Sequence, residues 1–164
     1  MTLKLRRRES GAPFIHPMHP TPRTVILAPG FQETKLVKVF PAGWTEGAAR
    51  FNPSSIAGPA DRLRILTGRG LELGHAVVAF TYDGQAGLSD DDRDLFWDSF
   101  GVPVFEQHLG PCNELLAMEC EAHAGLHVMG DYDDAHLDRN SCVCGNPAPR
   151  VHRRRIDELA DMLA

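Results

Sequence analysis

His75-Ala-Val-Val-Ala-Phe-Thr-Tyr82, Ser89-Asp-Asp-Asp-Arg-Asp-Leu-Phe-Trp-Asp-Ser-Phe-Gly101 and Val102-Pro-Val-Phe105 decide the architecture of this chain. The first stretch is a continuous apolar, β-branched run broken at Asp83-Gly84, and it reads as a buried strand. Ser89 is a good N-cap, and Asp90, Asp91 and Asp92 place negative charge in a first helical turn, where the helix dipole favours it. Leu95, Phe96 and Phe100 give that helix an apolar side, and Gly101 closes it. Val102–Phe105 is then the next strand. Strand, helix and strand with short connections imply a βαβ unit and a parallel sheet.

Working outward, Thr24-Val-Ile-Leu-Ala28 is a short apolar strand stopped by Pro29-Gly30, and Lys35-Leu-Val-Lys-Val-Phe40 is a second. Residues 41–58, with their glycines and Asn52-Pro53, read as a loop or a loosely helical connection. Pro59 suits a first helical turn, and the helix over Ala60–Leu66 should end near Gly68. Leu115–Cys120 and Leu126–Met129 look like two strands around a tight turn. Ile156, Leu159 and Leu163 fall on one side of an expected C-terminal helix. The prolines at 13, 17, 20 and 22 make residues 1–23 an extended arm, with His16 and His19 in a solvated loop. The expectation is an α/β fold: a small, partly parallel sheet with flanking helices. It comprises an arm over 1–23, a single domain over 24–150, and a helix over 151–164.

Composition narrows the function. The chain has 164 residues, 43% of them hydrophobic and 24% charged, with a net charge of −5. That balance excludes a general nucleic-acid binder, whose affinity rests on neutralising phosphates. The arginine clusters at 6–8 and 153–155 read as solvated charge. No apolar run reaches the length of a membrane span, and the N-terminus lacks the apolar core of a signal peptide. A cytoplasmic, reducing setting is the expectation, and there clustered cysteines serve metal or redox chemistry more than disulfides.

The segment from Cys120 to Cys144 holds three of the four cysteines and three of the eight histidines. Thiolates and imidazoles are the soft donors that zinc takes, four at a time in structural sites. With a bend over 122–125, Glu121 should face Leu126 and Cys120 should face His127, close enough to share an ion. Cys142 and Cys144 complete the set, with Gly145 permitting the close turn between them. His123 is the alternative fourth ligand. Four protein ligands leave no open position, so the zinc would be structural. Cys112 stands apart and reads as a buried small side chain.

From Ala76 to Arg150 the chain resembles the phenylacetate–coenzyme A ligase and coenzyme F390 synthetase group of adenylate-forming enzymes. The resemblance runs through Asp83-Gly-Gln-Ala-Gly-Leu88, the helix ending at Phe100-Gly101, Val102-Pro-Val-Phe-Glu-Gln-His108 and Leu109-Gly-Pro-Cys-Asn-Glu114. It is most specific in Ala117-Met-Glu-Cys-Glu-Ala-His-Ala-Gly-Leu-His-Val128 and Cys142-Val-Cys-Gly145. It implies a ligase-subdomain-like fold with a zinc-knuckle hairpin, a Cys120, His127, Cys142 and Cys144 zinc position, and ATP or AMP contacts at Gly84, Gln85, His108 and Glu114. The departures are as informative. Members of the group run to more than twice this length. A glycine- and hydroxyl-rich phosphate loop is absent, and only 14 residues separate His127 from Cys142, where the group carries its ribose-binding segment. No lysine follows Lys38 to meet an acyl-adenylate. Gln85-Ala86 and His108-Leu109 stand where the group has Glu-Pro and Tyr-Gly.

The leading expectation is therefore a zinc-stabilised, catalytically incomplete relative that serves as a binding or accessory module. Its partner would be a protein, a small acyl or aryl acid, or a nucleotide, and a homo-oligomer is compatible with the same reading. A second reading is an active AMP-forming acyl- or aryl-CoA ligase component completed by a partner chain. A third is a zinc hydrolase or deaminase using Glu119 or Glu121 as acid–base, although the His-x-Glu and Pro-Cys-x-x-Cys deaminase pattern is missing.

Overall fold

The structure is a computed structural model that describes residues 11–130, 132 and 136–152. One mixed sheet of eight strands organises them: β1 (Thr24–Ile26), β2 (Val37–Val39), β3 (Ser55–Pro59), β4 (Ala76–Tyr82), β5 (Val104–Leu109), β6 (Leu115–Glu119), β7 (Leu126–Val128) and β8 (Arg150–Val151). Their order is β2-β1-β3-β4-β5-β6-β7-β8. The first five strands are mutually parallel and the last three antiparallel. The expected βαβ unit is β4, α3 (Asp90–Phe100) and β5. Ser89 caps α3, its hydroxyl accepting from the Asp92 N–H, and Gly101 ends it at φ 66°. Strand β5 starts later than Val102 and runs on through His108.

The region read as a loop over 41–58 holds α1 (Glu46–Phe51) and the strand β3. β3 lies between β1 and β4 and is buried on both faces. Gly58 and Pro59 disguise it. Gly58 is there because β1 approaches closely: a Cβ at that position would lie 3.1 Å from the Leu27 Cβ. Pro59 sits at the strand's end, against Phe80, and N-caps α2 (Ala60–Leu66).

Helices α1, α2 and α3 cover one face of the sheet, packing Ala48, Leu63, Leu66, Phe96 and Phe100 against Val25, Ile56, Val77 and Val104. On the opposite face, among the described residues, no helix is packed. Phe14 and Phe31 instead close over Ile26, Ala57, Val78 and Phe80. The Phe31 and Phe80 rings stack at 5.1 Å, and Phe14 meets both edge-on. The arm is thus irregular, as its prolines dictate, but it is docked. Gln107 donates to the Ile15 carbonyl at 2.7 Å, and His16, 1% exposed, bonds the Ser55 hydroxyl at 2.9 Å. This corrects the solvated reading of His16. Cys112 is exposed, not buried.

Among the described residues no helix is long and apolar enough to cross a membrane. The expected C-terminal helix is corrected at its start, since Val151 pairs with Leu126 as part of β8; its remainder from residue 153 and both arginine clusters lie outside the described residues.

Candidate metal centre

Strands β6 and β7 form the expected hairpin in a different register. Met118 pairs with His127 and Glu119 with Leu126, so Cys120 does not sit opposite His127. The bend takes residues 120–125. The His123 N–H donates to the Cys120 carbonyl at 3.0 Å, and His123 and Gly125 both adopt positive φ, 50° and 96°. The wider bend carries Cys120 past the strand end, where it still meets His127. Downstream, the Gly145 N–H donates to the Cys142 carbonyl at 3.0 Å with Gly145 at φ 84°, folding Cys142 and Cys144 into one knuckle. Beyond the knuckle β8 pairs with β7, while Asp138 and Arg150 exchange backbone bonds at 2.8 and 2.9 Å.

These elements bring Cys120, His127, Cys142 and Cys144 together, with one donor atom from each inside a 4.8 Å span. The Cys120 and Cys142 sulfurs are 3.7 Å apart, and the Cys144 sulfur is 3.3 Å from His127 Nε2. Zinc–sulfur and zinc–nitrogen bonds of ordinary length meeting at the tetrahedral angle give edges of about 3.8 Å for S–S and about 3.5 Å for S–N. A disulfide would need about 2.05 Å. The donor set and its spacing therefore fit a tetrahedral ion.

The surroundings are prepared for a metal ligand set. His127 is buried, and its Nδ1 lies 2.9 Å from the Ala148 carbonyl, which can only accept. The proton therefore sits on Nδ1, and Nε2 presents its lone pair toward Cys144. The Asn146 N–H donates to the Cys144 sulfur at 3.3 Å. The Cys144 backbone N–H and the neighbouring donors draw the Cys142 thiol down to about 6, while burial pushes the Cys120 thiol up to about 11. Cys142 is thus the thiol of the set that gives up its proton most readily, and a bound cation deprotonates the others.

His123 is not a fourth donor. Its ring lies on Phe105 at a centroid distance of 4.9 Å, and its Nδ1 is 3.6 Å from Glu119. Glu119 is committed elsewhere: it accepts from the Glu106 N–H at 2.9 Å and from Arg93 at 3.1 and 2.9 Å. Arg93 also reaches Glu106 at 3.3 Å, and Glu106 in turn holds the Thr81 hydroxyl and the Leu88 N–H. This buried cluster joins α3, β5 and β6. Sequence reading weighed Glu119 as an acid–base and passed over Arg93 and Glu106. β5 reads Val-Phe-Glu-Gln-His-Leu, with three polar residues in a row, so no alternation in the sequence signals that Glu106 is buried. Glu121 is exposed.

Of the four positions matched to nucleotide contacts, Gly84, Gln85 and Glu114 fall on loops at the carboxyl ends of β4 and β5 and His108 lies within the end of β5 itself, at the edge of a parallel sheet where ligands usually bind. Gly84 and Gln85 form the turn after β4, the Gln85 N–H bonding the Tyr82 carbonyl. His108 is buried one residue before the end of β5, 3.7 Å from Asp83. Glu114 accepts from the Cys112 N–H at 2.7 Å and shapes the tight turn into β6. A cleft of about 430 Å³ at this edge is lined by Pro29, Gly30, Tyr82, Pro111, Cys112 and Asn113, and by none of the four. Neither a protein-family model nor a curated protein matches the chain. What the geometry itself establishes is an α/β chain with a mixed eight-stranded sheet, carrying a Cys₃His group positioned to bind a metal ion.

Proposed function

We propose that this chain is a zinc-stabilised module related to the phenylacetate–CoA ligase and F390 synthetase group, and that it binds and assists instead of activating acids. The observation that carries the reading is the closed donor set. Cys120, His127, Cys142 and Cys144 bring four donor atoms within 4.8 Å of one another, and a zinc ion held by all four would have no position for water or substrate. Such an ion secures β6, β7, β8 and the knuckle to one another. The same closure argues against a zinc hydrolase or deaminase, and the commitment of Glu119 to Arg93 and Glu106 argues the same way.

Adenylate formation needs cations and amides placed in advance around the transferred phosphate. Within these 164 residues no lysine follows Lys38 and no stretch has the makings of a phosphate loop, so the role proposed for this segment is binding. Residual recognition of AMP, ATP or an aryl acid would use Gly84, Gln85, His108 and Glu114.

Metal analysis of protein purified without a histidine tag should give one zinc per chain, lost in Cys142→Ser. Calorimetry with ATP, AMP and phenylacetate then tests the binding half. Zinc at stoichiometry with no heat from any of the three would leave a zinc-stabilised fold and remove the ligase relationship. Pyrophosphate exchange by the isolated chain would overturn the accessory role.

A further inference from the structure

Away from the carboxyl edge of the sheet, and on the outer side of the bend that joins Cys120 to His127, a cavity of about 600 Å³ opens between α3, the start of β5 and that bend. Its size suits a small organic ligand. Leu88, Val104 and Leu126 give it an apolar wall, and Trp97, 55% exposed, stands at its side. Its charge is unbalanced. Asp94, Glu106 and Glu119 set three carboxylates against one guanidinium, Arg93. His123 already faces Glu119, and His152 is bonded to Asp138 at 3.0 Å. Even a protonated His123 would leave the lining negative.

The three carboxylates are not equivalent. Glu106 and Glu119 are consumed by Arg93 and by backbone N–H groups. Asp94, among the described residues, has no hydrogen bond or ion pair. It sits on α3 three residues before Trp97, the spacing that places two side chains on one helical face. An exposed carboxylate and an exposed indole, side by side over an apolar hollow, are complementary to a protonated amine with an aromatic or aliphatic body. The ammonium pairs with the carboxylate and the indole face, and the body fills the hollow.

We propose that this cavity is a binding site for small primary amines carrying an apolar group, with Asp94 and Trp97 as the recognition pair. None of Gly84, Gln85, His108 or Glu114 lines it, so the site stands or falls separately from the ligase relationship.

The test uses the full, zinc-loaded chain and two probes of one shape and opposite charge, phenethylamine and phenylacetate, followed by the Trp97 indole N–H resonance and by calorimetry. Phenethylamine should bind at millimolar concentration or below and shift that resonance. Asp94→Asn and Trp97→Leu, both at exposed positions, should each weaken it about tenfold while leaving the thermal midpoint in place. Phenylacetate should leave the Trp97 resonance unmoved. The proposal is overturned by no amine binding at millimolar concentration, by an equal response to the acid, or by amine affinity unchanged in both variants.

Discussion

Protonating His16 should release the arm from the sheet, and the size of the effect follows from its contacts. The Met18 N–H donates to His16 Nδ1 at 2.9 Å, so the neutral ring carries its proton on Nε2 and donates it to the Ser55 hydroxyl. A second proton has to go onto Nδ1, against that N–H, inside a site 1% exposed. Burial, helped by the charges of His19 and His75, holds the folded value down to about 4 from the ordinary 6.5. The unfolded chain therefore binds more protons than the folded one between these values, and stability falls as pH falls. The loss begins near 6.5, reaches about 3 kcal/mol by pH 4, and levels off below it. Urea unfolding of the wild type and of His16→Gln, which keeps a donor for Ser55, isolates the term. Loss of metal in acid is common to both proteins and cancels in the difference. The wild type should lose about 3 kcal/mol more than the variant between neutral pH and about 4. Parallel profiles would refute the docked, neutral His16.

Chelation, or Cys142→Ser, should strip hydrogen-exchange protection from β6, β7, β8 and the knuckle and spare β1 to β5. Among the described residues the cluster under that edge has four buried apolar side chains, Ala117, Leu126, Val128 and Val151, against about 10–16 kcal/mol for a structural zinc. Protection lost uniformly along the chain would contradict this. Arg93→Met should cost about 3–5 kcal/mol in urea unfolding, because it strands two buried carboxylates; Arg93→Met with Glu119→Gln should recover part of that. Ser89→Ala should cost about 1 kcal/mol, a fall of about 2–4 °C in thermal midpoint, by freeing the Asp92 N–H.

The parts legible in the sequence were those where local chemistry and tertiary role agree. β4, α3 and β5 show their strand periodicity, N-cap and αL glycine without help from the rest of the chain. Cys120, His127, Cys142 and Cys144 could be picked out because few roles suit clustered soft donors. Three features were hidden, each because a distant partner decides it. β3 is a core strand made of Ser-Ile-Ala-Gly-Pro, whose small residues answer to the closeness of Leu27 and not to any local preference. The hairpin register depends on a bend with positive φ at His123, which a residue with a Cβ seldom adopts. The docking of the arm rests on Phe31, Ser55, Phe80 and Gln107, none of which is near it in the chain.

That last feature orders the assembly of the molecule. The anchors of the arm lie 39 residues away at Ser55 and 92 residues away at Gln107, and its aromatic seat is built only once β1, β3 and β4 are side by side. Closing such long loops is unrewarded until the receiving surface exists. Residues 11–16 are therefore the last to join during folding and the first to leave on unfolding, so a protease should cut there before it can open the sheet.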